Sequence, residues 1–90
     1  MDNFYDKIPA ERALEIQRVS RLMYEVRAAR DNMLARLGAA DAEQALACIV
    51  DGALPEHPGY EHYLSVRILN GLHNQVRAEL AALVKEAQEQ

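Results

Sequence analysis

Two long apolar stripes at helical spacing constrain the fold of this chain more than any other feature. Within each stripe, successive members are mostly three or four residues apart, which places them on one side of an α-helix. The first consists of Ile16, Val19, Met23, Val26, Met33 and Leu37, and the second of Leu69, Leu72, Val76, Leu80 and Leu83. The sequence therefore predicts an all-α protein built on two long amphipathic helices.

Capping residues indicate where the helices begin and end. Pro9 suits the first turn of a helix, and Gly38 suits the residue that follows its last turn. Asp41 stands three residues before Gln44, which is the spacing of a capping box. Pro58 is well placed to open a third helix. The prediction is a single helical domain, residues 1–90, with helices at about 9–37, 41–51 and 58–86.

The short connection predicts that the two long helices form an antiparallel hairpin. A parallel start would require the connection of about 20 residues, part of it helical, to cross back over a rod of roughly 40 Å, whereas an antiparallel hairpin needs no such crossing. The third helix also carries apolar residues on its other side (Tyr60, Tyr63, Leu64 and Ile68), which the short helix is expected to cover. The remaining apolar surface predicts a homodimer in the form of a four-helix bundle, and Gly71 would allow another helix to approach closely.

Composition narrows the function classes. The chain has five aromatic residues and no tryptophan, which favours an aliphatic core of packed helices. Its formal net charge of −4 argues against general binding to nucleic acid or to an anionic membrane. One cysteine, Cys48, cannot form an internal disulfide, which favours the cytoplasm. We expect no signal peptide, because residues 1–6 have neither a basic start nor an apolar run, and no membrane-spanning stretch.

Charge is unevenly distributed between the helices. Residues 9–37 carry six arginines against four acidic residues, a balance of +2, so the other residues carry −6. The arginines are Arg12, Arg18, Arg21, Arg27, Arg30 and Arg36. They do not share one helical face, so a nucleic-acid surface is not expected. Two i, i+4 ion pairs are expected instead, Arg21–Glu25 and Arg27–Asp31.

A small group of histidines and carboxylates supports an alternative function. His57, Glu61 and His62, preceded by Glu56, could supply ligands to zinc or another divalent ion, with His73 as a further ligand. The spacing departs from two-histidine helical sites, because His57 precedes the helix and His62 lies inside it. The simpler interpretation is a helix start with solvated charges.

Two kinds of polar residue fall on the apolar faces. His62 and His73 are three helical turns apart, which predicts either histidines at the edge of a core or a pH-sensing pair. Arg30 lies in the middle of the first stripe, where a buried charge needs a partner. Glu61 and Glu56 are the candidates, so Arg30 is predicted to set the register of the hairpin or to bind an anionic partner.

The leading prediction is a non-catalytic interaction or assembly protein without a cofactor. The sequence has no Ser/His/Asp set, glycine-rich phosphate loop or paired-cysteine site. Tyrosines suit interfaces because each offers a large apolar ring and a polar tip. The predicted partner-binding residues are Tyr60, Tyr63, Leu64 and Arg30, with Phe4, Tyr5 and Ile8 as an extension of this surface.

Residues 60–72 resemble a helix of small uncharacterised phage and prophage proteins. The resemblance rests on the tyrosine-led start at Tyr60 and on the step Arg67-Ile68-x-x-Gly71-Leu72. It implies an accessory or virion-associated interaction protein rather than an enzyme.

Overall fold

The structure is a computed structural model that describes residues 9–89. It contains three α-helices, which are α1 (Ala10–Leu37), α2 (Ala42–Val50) and α3 (Glu56–Gln88). Residues 9–89 contain no β-strand. The predicted all-α class and the long helices are confirmed. Phe4, Tyr5 and Ile8, which were expected to extend the partner surface, lie outside the described residues.

Helix α1 ends at the glycine that its sequence indicates. Gly38 has a left-handed backbone, with φ of 64°, which a residue without a Cβ adopts easily. The Gly38 N–H donates to the carbonyl of Ala35, and the Ala39 N–H donates to the carbonyl of Leu34, each at 3.1 Å. These two bonds satisfy carbonyls that the helix end would otherwise leave without partners.

The starts of α2 and α3 also follow the local sequence. The Asp41 carboxylate accepts a 2.8 Å hydrogen bond from the Gln44 N–H. The Gln44 side chain in turn accepts a 2.6 Å bond from the Ala40 N–H, so the predicted capping box forms with a shift of one residue. In α3, His57 has non-helical dihedral angles (φ −116°, ψ 127°), so regular helix geometry begins at Pro58.

Helices α1 and α3 lie side by side in opposite directions, in a rod of 56 × 20 × 17 Å. The beginning of α1 meets the end of α3, where the Arg12 guanidinium lies 2.7 Å from the Glu86 carboxylate. At the other end of the rod, Leu37 packs with Tyr63 and Val66. The end of α1 therefore meets the first turns of α3.

The core consists of two apolar clusters and of Val26, which is buried between them in a more polar middle. The buried members of one cluster are Ile16, Val19, Val76, Leu83 and Ala87, and those of the other are Leu37, Ala45, Tyr63 and Val66. Between the clusters, Arg30, Asn70 and His73 are only half-buried. Polar side chains at the middle of a seam disfavour shifted pairings of the two helices, because a shift would bury them against apolar neighbours.

Helix α2 packs on a different part of α3 from the one expected. It covers Gly59, Tyr63 and Val66 and leaves Tyr60 and Ile68 exposed. The prediction that α2 covers the whole Tyr60–Ile68 side is therefore wrong, although Tyr63 is covered. The physical reason is the apolar cluster in which Ala45 and Ile49 of α2 pack with Tyr63 and Val66 of α3. Gly59 lies beside Ile49, at a distance where an added Cβ would make an ordinary van der Waals contact of 3.7 Å.

We predict that Val66→Ala destabilises the fold by about 2 kcal/mol. Val66 is fully buried where the helices meet, so the truncation removes buried methyl groups and leaves a cavity. Val50→Ala is the matched control, because Val50 is 76% exposed, and it should change the free energy of unfolding by less than about 0.5 kcal/mol. Urea unfolding followed by circular dichroism measures both. Equal effects would contradict the packing described here.

Candidate interaction surfaces

A row of exposed apolar side chains follows the outer side of α3. We call Tyr60, Leu64, Ile68 and Leu72 the outer stripe. These four side chains are separated by four residues each, and between 38% and 70% of each is exposed. Side chains at i, i+4 are neighbours on a helix surface, so the four form a continuous band that turns slowly around α3.

The same face of α3 carries small residues in its second half. Ala78 follows Tyr60 by five helical turns and Ala82 follows Leu64 by five turns, so each pair lies on the same side of the helix. Both alanines are exposed. Gly71 lies midway along this face, and a Cβ added there would meet no atom within 4 Å. One side of α3 is therefore bulky near its beginning and shallow near its end.

Tyr63 does not share the exposure of the outer stripe. Its side chain is 8% exposed and packs with Leu37 and Val66 in the core. Its ring centroid lies 5.8 Å from that of Tyr60, which is 41% exposed. Among the residues predicted to bind a partner, Tyr60 and Leu64 thus offer apolar surface, whereas Tyr63 supports Tyr60 from the core side.

Arg30 forms a different ion pair from the one predicted. Its guanidinium donates to the Asp31 carboxylate at 3.1 and 3.2 Å rather than to Glu56 or Glu61. The antiparallel pairing places Arg30 beside Asn70, with which it lines a common pocket. Glu61 is nine residues away from Asn70, or roughly 13 Å along the helix, which is too far for an ion pair. The prediction of a Glu56 or Glu61 partner is wrong.

His57 and Glu61 form an exposed hydrogen-bonded pair at the start of α3, which is an ion pair when His57 is protonated. The His57 Nδ1 lies 2.7 Å from a Glu61 carboxylate oxygen. The hydrogen bond to Glu61, followed by the negative charges of Glu61 and Glu56, raises the pKa of His57 above 6.5. The same hydrogen bond lowers the pKa of Glu61 below 4.5.

The proposed metal ligands do not converge in the described part of the chain. His62 is half-buried, whereas His57 and Glu61 are exposed and bound to each other. Within residues 9–89, no group of three or more His, Cys, Asp or Glu side chains is arranged to hold a metal ion. His73 lies farther along α3, against the α1 side.

A groove lies between α1 and the second half of α3. We call it the basic groove; its volume is about 580 Å³, and its lining comprises Met23, Arg27, His73, Arg77, Leu80, Ala81, Val84, Lys85 and Gln88. Met23, Leu80 and Val84 are half-buried and form an apolar floor. Arg27, Arg77 and Lys85 are exposed and contribute three positive charges.

The sequence did not indicate the basic groove, because its cations come from two helices. Arg27 was expected to pair with Asp31, but its guanidinium carbon lies 6.0 Å from the centre of the Tyr24 ring. The other expected pair on α1, Arg21 with Glu25, is present at 3.1 Å. Arg77 and Lys85 are eight residues apart on α3, a spacing that puts them on one broad side of a helix. That spacing was the sequence feature that could have indicated the α3 side of the basic groove.

Comparison of the chain with models of protein families, with curated proteins and with solved structures found no match. The resemblance of residues 60–72 to phage and prophage helices therefore stays a prediction. Among residues 9–89, no helix has the length and apolarity needed to cross a membrane.

We predict that Glu61→Gln returns the pKa of His57 downward toward 6.5, because the variant loses both the charged acceptor and its negative field. NMR titration of the imidazole signals measures the change. Glu79→Gln is the control, since it removes an exposed carboxylate elsewhere on α3. An unchanged His57 titration in Glu61→Gln would contradict the ion pair.

The same pair predicts a pH window for stability. The raised pKa of His57 contributes stability that is present below pH 6.5 and is lost as the pH rises through that raised value. The lowered pKa of Glu61 contributes stability that is present above pH 4.5 and is lost as the pH falls through that lowered value. The wild type should exceed Glu61→Gln in stability mainly between these limits, and thermal unfolding across pH measures the difference.

Proposed function

We propose that this protein is a non-catalytic helical interaction and assembly protein, which forms a homodimer in the cytoplasm and binds a protein partner. The observation that carries the proposal is the outer stripe. Its four large apolar side chains lie next to one another on α3, and neither α1 nor α2 covers them. A contiguous apolar surface of this kind is the usual mark of a protein interface.

The side of α3 that carries the outer stripe is bulky near its beginning and shallow near its end. This distribution favours a second copy of the chain as the binding partner of that side. If two α3 helices cross antiparallel near Gly71, Tyr60 of one copy meets Ala82 of the other, and Leu64 meets Ala78. Bulky side chains then pack against small ones on both sides of a two-fold axis, as an isologous interface requires. Gly71 would lie at the axis, where the missing side chain permits close approach of the two backbones. The dimer would contain four long helices, in keeping with the predicted bundle.

The other parts of the proposal rest on simpler observations. Cys48 is the single cysteine of the chain, which suits a reducing compartment. His57 and Glu61 are hydrogen-bonded to each other, so the metal-binding alternative gains no support from their geometry. The partner protein would bind a surface that the dimer leaves open.

We predict that Ile68→Glu dissociates the dimer. Ile68 is 70% exposed and belongs to the outer stripe, so the change removes two buried side chains from the interface and adds two negative charges to it. The dimer dissociation constant should rise about a hundredfold. Val50→Glu is the matched control, because Val50 is equally open but lies on α2.

Sedimentation equilibrium measures both variants. The wild type should have twice the chain mass of 10.1 kDa. A wild type that remains a single chain at high concentration would contradict the proposed homodimer. Equal effects of the two variants would contradict the assignment of the interface to the outer stripe.

We predict that substitutions of Gly71 affect the stability of the single chain and its dimerisation differently. Gly71→Ala should stabilise the isolated chain by about 1 kcal/mol, because alanine favours helix and the added Cβ meets no atom. Gly71→Leu should also fold but should lose the dimer, since its side chain would fill the crossing point. Ala35→Leu, at an exposed position on α1, is the control. Dimerisation of Gly71→Leu at wild-type strength would rule out a crossing at Gly71.

A further inference from the structure

The basic groove is positively charged, although the chain as a whole is negatively charged. The chain carries a formal charge of −4, whereas the groove lining carries three positive side chains and no carboxylate. Within residues 9–89, none of Arg27, Arg77 and Lys85 has a carboxylate within 4 Å, although other cations of the chain have one. Like charges gathered without counter-charges favour an anionic binding partner.

The floor of the groove shows that charge alone does not define its partner. Met23, Leu80 and Val84 are half-buried at the edge of the core, and they remain accessible between the cations. A polyanion such as nucleic acid would neutralise the rim but would leave this apolar floor uncovered. The groove therefore matches a partner that has apolar residues in its centre and negative charges at its margins.

The length of the groove matches a helix. Its lining on α3 runs from His73 to Gln88, which is 16 residues or about 22 Å of helix. An open furrow between two antiparallel helices is where a third helix packs in a bundle. An amphipathic helix of about 15 residues would span it, with its apolar stripe on the floor.

We propose that the basic groove binds an acidic amphipathic helix of a partner protein. The apolar side of the partner helix contacts Met23, Leu80 and Val84, and its flanking carboxylates approach Arg27, Arg77 and Lys85. This inference rests on the proposed interaction function and names its class of partner. The floor of the groove is distinct from the outer stripe, because Gly71 and Val84 are about 140° apart around α3. Lys85, at the margin of the groove, is only about 40° from Gly71 and borders the proposed dimer face.

The test uses a labelled synthetic peptide of about 15 to 20 residues, long enough to span the groove. It has leucines at helical spacing and glutamates on both sides of the leucine stripe. Fluorescence anisotropy with the full-length protein at low ionic strength measures binding. A scrambled peptide of the same composition and a version with lysine in place of glutamate serve as peptide controls. A single-stranded oligonucleotide serves as a competitor.

Two groove variants and two matched controls test the site. Arg27→Gln combined with Arg77→Gln should weaken peptide binding about tenfold, because two exposed ion pairs are lost. Arg18→Gln combined with Arg36→Gln makes the same change in net charge away from the groove and should leave binding unchanged. Ala81→Glu places a carboxylate in the groove lining and should also prevent binding. Ala35→Glu is its control on the exposed side of α1.

Several results would overturn the proposal. These are the absence of peptide binding, equal binding of the scrambled or lysine peptide, displacement by the oligonucleotide, and equal effects of the two arginine pairs. A gain in peptide affinity on deletion of residues 1–8 would assign the groove to the chain's own N-terminal segment. Loss of the dimer in Ala81→Glu would indicate that a second copy of the chain binds in the basic groove. Because Ile68→Glu tests the dimer separately, failure of this inference is distinguishable from failure of the proposed self-association.

Discussion

The packing of α1 against α3 is the interaction on which the rest of the structure depends. Side chains from both helices meet along a seam that is apolar at its two ends and more polar where Arg30 and His73 lie. The apolar ends supply the burial that keeps the helices together, and the polar middle disfavours other registers. Once this register is set, Met23 and Arg27 of α1 face Arg77 of α3, so the basic groove is a direct consequence of the seam.

A hairpin of two helices cannot cover every apolar side chain that it carries. Each long helix has one neighbour along most of its length, and α2 adds a second neighbour only near the beginning of α3. Helix α2 packs with Tyr63 and Val66 on one side of α3, and the outer stripe on the other side stays open. The exposed apolar surface thus follows from the geometry of a thin rod, 20 × 17 Å across, rather than from an excess of apolar residues.

The charged residues play two different roles. Arg12 and Glu86 join the ends of the hairpin, and Arg21 and Glu25 form a pair along α1; such exposed pairs contribute modestly to stability. Arg27, by contrast, has its guanidinium carbon 6.0 Å from the centre of the Tyr24 ring and lines a groove without carboxylates. The first group forms ion pairs within the fold, whereas Arg27, Arg77 and Lys85 have no carboxylate within 4 Å among residues 9–89. This division is why the protein can be acidic overall and still present a basic surface.

The sequence by itself determined the helical class and the helix ends, because these depend on local spacing and on capping residues such as Gly38 and Asp41. The tertiary structure decided which face each helix buries. It placed Tyr63 in the core and left Tyr60 exposed, since a stripe shows only that residues share a face and not which neighbour covers it. It also placed Arg30 beside Asn70 and out of reach of Glu61, because the register of two helices depends on the packing of all seam side chains together.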